Sequence, residues 1–326
     1  MGGNALLHVL PSATFPRIPS ALYTSLKATL TLRLSPLFDQ IAVPRETPEK
    51  KDHGDIDFVV TGPRDGLQHE DIERALGAYA SVRSLAGHVK GTSNFALHLQ
   101  ELEDANAMPE DAYLQVDVHV CADTQEWERV VFFHGYGDLG MIMGSLACSV
   151  GLHMGEKGLK MTSPALAPTH SSTFFLSSSF PEILSFFALS MDRWKAGFST
   201  QQDAFKWIAS SRCYDPRLIY KRTKRETSHV NRAMYQAFFR WNRERLPEES
   251  ESLSGQDKAM LIENVRQEAL THFGKKDEHN ALVRVNEKRV LLKATWNGKK
   301  VGEWTGWHGW DVGQVMKYVR VKVGEE

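Results

Sequence analysis

Cysteine is scarce in this chain: three in 326 residues, Cys121, Cys148 and Cys213, each in a separate segment. That excludes a disulfide framework and any paired-cysteine zinc spacing, and it suits a reducing compartment. Long apolar runs are missing too, since none approaches the ~18 residues of a membrane span. Net charge is nearly absent, −1 at pH 7. The chain as a whole therefore advertises no polyanion partner, and local charge must carry any such argument. Residues 1–35 hold no acid and only Arg17, Lys27 and Arg33 as fixed cations. Prolines at 11, 16 and 19 break an amphipathic helix there, which argues against a transit peptide. Position 6 is Leu6 where the myristoylation pattern needs Ser or Thr. These absences place the protein inside the cell, in cytoplasm or nucleus, with mitochondrial import left open. What is present is an ordinary globular composition, 42% hydrophobic and 24% charged, in a chain long enough for two compact domains.

The most informative stretch is Lys50-Lys51-Asp52-His53-Gly54-Asp55-Ile56-Asp57-Phe58-Val59-Val60. It reads as a loop entering a strand. Alternate strand residues share a face, so Ile56, Phe58 and Val60 point to a core while Asp55 and Asp57 stand side by side on the other face. Two unit charges roughly 5–7 Å apart repel by about 2–3 kcal/mol at an effective dielectric of about 20. A divalent cation is the usual reason to build such a pair. A second run, Tyr113 to Cys121, also alternates. Leu114, Val116, Val118 and Val120 form one face, and Gln115, Asp117 and His119 the other. If the two strands are neighbours, Asp117 stands beside Asp55 and Asp57, and three carboxylates make a site for Mg²⁺, a hard ion that prefers oxygen ligands.

Gly54-Asp55-Ile56-Asp57, then a helix, then a strand with one further acid, Asp117, resembles the DNA polymerase β-type nucleotidyltransferase superfamily. That group includes CCA-adding enzymes, poly(A) polymerases and small-molecule nucleotidyltransferases. The resemblance covers the N-terminal half. It implies an α+β fold, a mixed sheet with helices followed by a mainly helical C-terminal region. The divisions expected are an arm at 1–19, a catalytic domain at 20–178, and a helical nucleic-acid- or substrate-binding region at 179–326. It further implies two Mg²⁺ (or Mn²⁺) ions held by Asp55, Asp57 and Asp117, and attack by a hydroxyl on the α-phosphate of a nucleoside triphosphate. One family feature is missing. The Gly-Ser turn that grips the triphosphate would fall in Ile41 to Lys51, which contains no such pair. Either Arg45, Thr47, Lys50 and Lys51, with Gly54 beside the paired acids, take over the phosphates, or the triphosphate site is altered.

Along the rest of the chain, Ser20 to Leu34 reads as a helix with Ser20 as its cap and Leu22, Leu26, Leu30 and Leu34 on one stripe. Phe38 to Val43 reads as a short strand. His69 to Leu85 reads as an amphipathic helix with Ile72, Leu76, Tyr79 and Ala80 inward, and Gly91 to Leu99 as a strand. Asp138 is placed to cap a helix over 141–150 whose Gly140, Gly144, Ser145, Ala147 and Ser149 make one side small. That side suits either close packing or a nucleotide at the helix N-terminus, with Gly137, Asp138 and Ser145 as contacts. Residues 212–245 gather ten Arg and Lys with interleaved aromatics, either a solvated helix face over a core or a surface for an RNA or DNA 3′ end. Trp304, Trp307 and Trp310 precede a last helix from Asp311. The reading with most support is a template-independent nucleotidyltransferase acting on a nucleic-acid 3′ end. The alternatives are a small-molecule nucleotidyltransferase, a non-catalytic nucleic-acid-binding relative, and a glycosyltransferase. The last needs a nucleotide-sugar domain before its paired acids, and fewer than sixty residues precede Asp55.

Overall fold

The computed structural model describes residues 5–83, 91–102, 109–167, 172–220, 232–246, 254–295 and 317. It is a mixed α/β protein with a mixed sheet and a helical C-terminal part. A short strand β1 (Ile18–Pro19) leads into α1 (Ser20–Leu34), followed by β2 (Phe38–Ala42), β3 (Asp52–His53), β4 (Asp55–Pro63), α2 (His69–Leu76), β5 (Ala80–Arg83), β6 (Gly91–His98) and β7 (Tyr113–Val120). Five of these strands form one sheet in the order β2-β4-β7-β6-β5. Only β4 and β7 run parallel; the other neighbours are antiparallel.

The alternation in the sequence explains this sheet. Ile56, Phe58 and Val60 of β4, with Leu114, Val116, Val118 and Val120 of β7, are buried against Leu26, Leu30 and Leu34 of α1 and Ile72 and Leu76 of α2. Tyr23 joins the buried stripe of α1, and Leu22 is only partly covered. Ser20 does not cap α1. Pro19 stands at the cap, and the Ser20 hydroxyl donates to the Lys51 carbonyl at 3.0 Å. The helix expected to reach Leu85 stops at Leu76, because Gly77 turns left-handed at φ 70°. The chain then enters β5, and Tyr79 is 64% exposed instead of inward.

Beyond β7 come α3 (Thr124–His134), α4 (Leu139–Ser149) and an antiparallel sheet of β8 (Leu152–Gly155), β9 (Gly158–Thr162) and β10 (Thr173–Ser177). The helices α5 (Phe180–Phe186), α6 (Met191–Ala196), α7 (Gln201–Ala209), α8 (Pro216–Tyr220), α9 (Ala233–Arg243), α10 (Gly255–His272) and α11 (Lys276–Thr295) follow. Ser179 and Thr200 cap α5 and α7 with their hydroxyls. One hydrophobic cluster runs from Phe132 to Phe273, so α4 and the small sheet pack with the C-terminal helices. The first cluster draws on residues up to Val120 and the second on residues from Phe132 onward.

Tyr214 and the aromatics of α9 pack in this second core. Tyr235, Phe238, Phe239 and Trp241 are buried, and Tyr214 is half-buried with its hydroxyl donated to Asn242. Arg212 pairs with Glu268 and Arg217 with Asp215. No stacking platform forms there among the described residues. Lys221, Arg222, Lys224 and Arg225, the Trp304–Trp307–Trp310 run, and the helix expected from Asp311 lie outside the described residues apart from position 317. Among the described residues no helix is long and apolar enough to cross a membrane.

Candidate active site

β4 and β7 are paired so that Asp57 lies directly opposite Asp117 and Asp55 opposite Gln115. The three acids share one sheet face because their spacing is even and the strands are parallel in register. The opposite face is buried on α1 and α2. On the acidic face, α3 covers only the part past the acids, with Val59 packed on Val130 and Cys121, and Trp127 Nε1 donating to the Val59 carbonyl at 2.9 Å. The uncovered part opens into a pocket of about 490 Å³ that includes all three acids. A volume of that order accommodates a nucleotide-sized ligand.

Asp117 is held by neutral groups. Asn94 Nδ2, on the register partner across β6, donates to its Oδ1 at 2.7 Å. Gln115 Nε2 donates to Oδ1 at 2.8 Å and to Oδ2 at 3.0 Å. Amides orient a carboxylate without cancelling its charge. Burial pushes the Asp117 carboxyl up, the two amides work against this, and Asp55 adds to it. Among the described residues Asp55 and Asp57 have no hydrogen-bonding or ion-pair partner. Asp57 is reached by solvent but lies on the pocket floor with protein around it. Lost hydration, then Asp55, then Asp117 push its carboxyl up to about 7.

The pocket wall contributes three further acids, Glu46, Asp138 and Glu156, against the fixed cations Arg45, Lys50 and Arg232. The negative excess suits a cation. Among the described residues no group of three or more His, Cys, Asp or Glu side chains is arranged to hold a metal ion as it stands. Mg²⁺, however, is commonly bound by one or two carboxylates, with water and substrate phosphates completing its shell. Asp55 and Asp57, unpartnered hard oxygen donors beside a third carboxylate held by amides, fit that donor set.

Of the candidate nucleotide contacts, Arg45, Lys50, Gly137 and Asp138 line this pocket, while Lys51, Gly54 and Ser145 are not among its lining residues. Lys51 is exposed and Gly54 buried between β3 and β4. Ser145 is buried in the second core, where its hydroxyl meets the Tyr235 hydroxyl at 3.0 Å. The small side of α4 is a packing face: a side chain at Gly140 would run into the Phe133 carbonyl. Asp138 does not cap α4 with its side chain; its carboxylate accepts from the Tyr235 backbone N–H at 3.2 Å in the first turn of α9 and faces Arg232 at 3.4 Å. Arg45 donates to the Tyr136 hydroxyl at 2.7 Å, and Lys50 to Glu46 at 2.5 Å.

Several lining residues escaped the sequence reading. Thr92, which bonds His119 Nδ1 at 2.7 Å, lines the pocket from the acidic face of β6, and Asn94, behind Asp117, shares that face. Their alternation within 91–98 was a usable signal once β6 was aligned against β7. His134, which donates to Glu156 at 2.8 Å, and Glu46 carried no local signal. No protein-family model matches the chain, and no curated protein matches its sequence.

Proposed function

We propose that this protein is a metal-dependent nucleotidyltransferase that moves a nucleoside monophosphate from a nucleoside triphosphate to a hydroxyl acceptor, with release of pyrophosphate. The observation that carries the reading is the register of β4 on β7, which gathers Asp55, Asp57 and Asp117 on one open sheet face in a pocket of nucleotide size. Asp55 and Asp57 would hold Mg²⁺ or Mn²⁺ together with Asp117, and the ions would supply charge neutralisation at the reacting phosphate. Asp117, oriented by Asn94 and Gln115, would accept the proton of the attacking hydroxyl. Lys50 and Arg232 offer positive charge to the remaining phosphates.

The acceptor expected from residues 212–245 is an RNA or DNA 3′ end. Its support in the described residues is the exposed Arg232, Arg240 and Arg243 on and beside α9, since the neighbouring aromatics are in the core. The test is incubation of the full chain with Mg²⁺ or Mn²⁺, each labelled nucleoside triphosphate, and in separate arms an RNA primer, a DNA primer and small hydroxyl acceptors, with Asp55→Asn as control. Label transfer in one arm, lost in the variant, is the expected result. No transfer in any arm sinks the proposal.

A further inference from the structure

The segment 43–51, where the Gly-Ser turn of the resembled family would lie, forms one wall of the pocket and is built around Glu46. Three groups converge on that carboxylate. The Tyr23 hydroxyl donates to its Oε1, Lys50 Nζ donates to its Oε2 at 2.5 Å, and His53 Nδ1 lies 3.5 Å from the same oxygen. Tyr23 is 2% exposed and stacks on the buried His53 ring with centroids 3.7 Å apart. Burial works to raise the Glu46 carboxyl, but Lys50 and then Tyr23 outweigh it and hold it below its ordinary value. Glu46 is therefore ionised at neutral pH and fixed from the inside by the core of α1.

We infer that Glu46 is a positioning residue that aims the Lys50 ammonium into the pocket, with Tyr23 as its buried support, so that Lys50 takes the polyphosphate end of the substrate. This rests on the function proposed above. An ammonium has three donors. The contact to Glu46 uses one and leaves two for phosphate oxygens. Lys50 and Glu46 both line the pocket with Asp57, and the Lys50 charge reaches that carboxyl. A lysine on a free loop loses side-chain entropy when it binds a phosphate. Anchoring it in advance through Glu46 and Tyr23 removes part of that cost.

The experiment measures, on the full chain, the affinity for inorganic tripolyphosphate in the presence of Mn²⁺, the affinity for Mn²⁺ alone, and the melting temperature. The variants are Tyr23→Phe, Glu46→Gln, Lys50→Met and Lys50→Arg. Tyr23→Phe is expected to weaken tripolyphosphate roughly ten-fold, and Lys50→Met roughly a hundred-fold, with Lys50→Arg recovering most of the loss. Mn²⁺ affinity stays at the wild-type value in Tyr23→Phe and Lys50→Arg, which keep the charges around Asp57 unchanged. A purely structural Tyr23 would lower the melting temperature and leave the tripolyphosphate affinity of the folded protein unchanged, which overturns the inference. Wild-type protein that binds Mn²⁺ but no tripolyphosphate overturns the Lys50 assignment and leaves the carboxylate site standing. Binding of neither overturns both.

Discussion

Asp57 concentrates the chemistry of the site in one side chain. Its ordinary value is 3.8, and in the folded protein it rises to about 7. Between those values the folded chain keeps a proton that the unfolded chain has released. Stability therefore falls as pH rises through that window and stays lower above it. Asp57→Asn removes the ionisable group, so the metal-free variant is expected to melt above wild type at about pH 8 and to converge on it near pH 4. Mn²⁺ should raise the melting point of wild type and leave Asp57→Asn unmoved. A thermal-shift series across pH, with and without Mn²⁺, reads both. A wild-type curve that is flat between those limits would contradict the crowding of Asp55, Asp57 and Asp117. The sequence showed that these three residues have the right parity. It gave no sign that Asn94 and Gln115 share Asp117, because that depends on how β6 and β7 are aligned.

Among the elements, the turn between α3 and α4 brings Gly137 and Asp138 to the pocket. Tyr136 and Gly137 are both left-handed, at φ 63° and 67°. That conformation costs an L-residue roughly 1–2 kcal/mol, and Tyr136 is kept in it by its own N–H, which donates to the Arg45 carbonyl at 2.5 Å. Gly137 lies against Thr47 so closely that a Cβ would run into the Thr47 hydroxyl. Gly137→Ala should therefore cost about 1–2 kcal/mol in backbone strain alone, measured by urea unfolding. It should also reduce the nucleotidyl transfer proposed above by pushing back the wall at 43–51. Unchanged activity at full occupancy of the folded state would show that this wall takes no part in the site. The same turn explains why Asp138 misled a local reading. Its cap spacing was correct for α4, but the side chain caps α9, 97 residues later, and no local pattern encodes that choice.

At the scale of the whole molecule, the segment 43–51 is tied to elements of both hydrophobic cores. On one side Ser20 and Tyr23 of α1 hold it. On the other, Glu49 accepts from the Gln201 N–H at the start of α7 at 3.0 Å. Arg45 donates to the Tyr136 hydroxyl, which in turn donates to the Trp194 carbonyl at 2.7 Å. Tyr136→Phe leaves Arg45 and that carbonyl without their shared partner and should cost roughly 1–3 kcal/mol. Hydrogen exchange is the sharper readout. Amides of α3, α6 and the 43–51 segment should lose protection together if the junction couples the cores. Loss confined to Tyr136 itself would mean that each core stands without it.

The sequence by itself determined β4 and β7, their faces and the acids on them, because period-two alternation is a property of neighbouring residues. It also determined the spans of α1 and, to within two residues, α4, through apolar and small-residue stripes and the proline after Leu34. Only the tertiary structure decided which strand lies beside which, and hence that Asp57 faces Asp117. It alone placed Tyr235 in the core beside Phe238, Phe239 and Trp241, and it alone ended α2 at Gly77 to make room for β5. It also decided that Lys50 and Arg45 arrive at the pocket already partnered. These outcomes depend on contacts between residues tens of positions apart, which competing local signals such as charge runs and cap spacings do not rank.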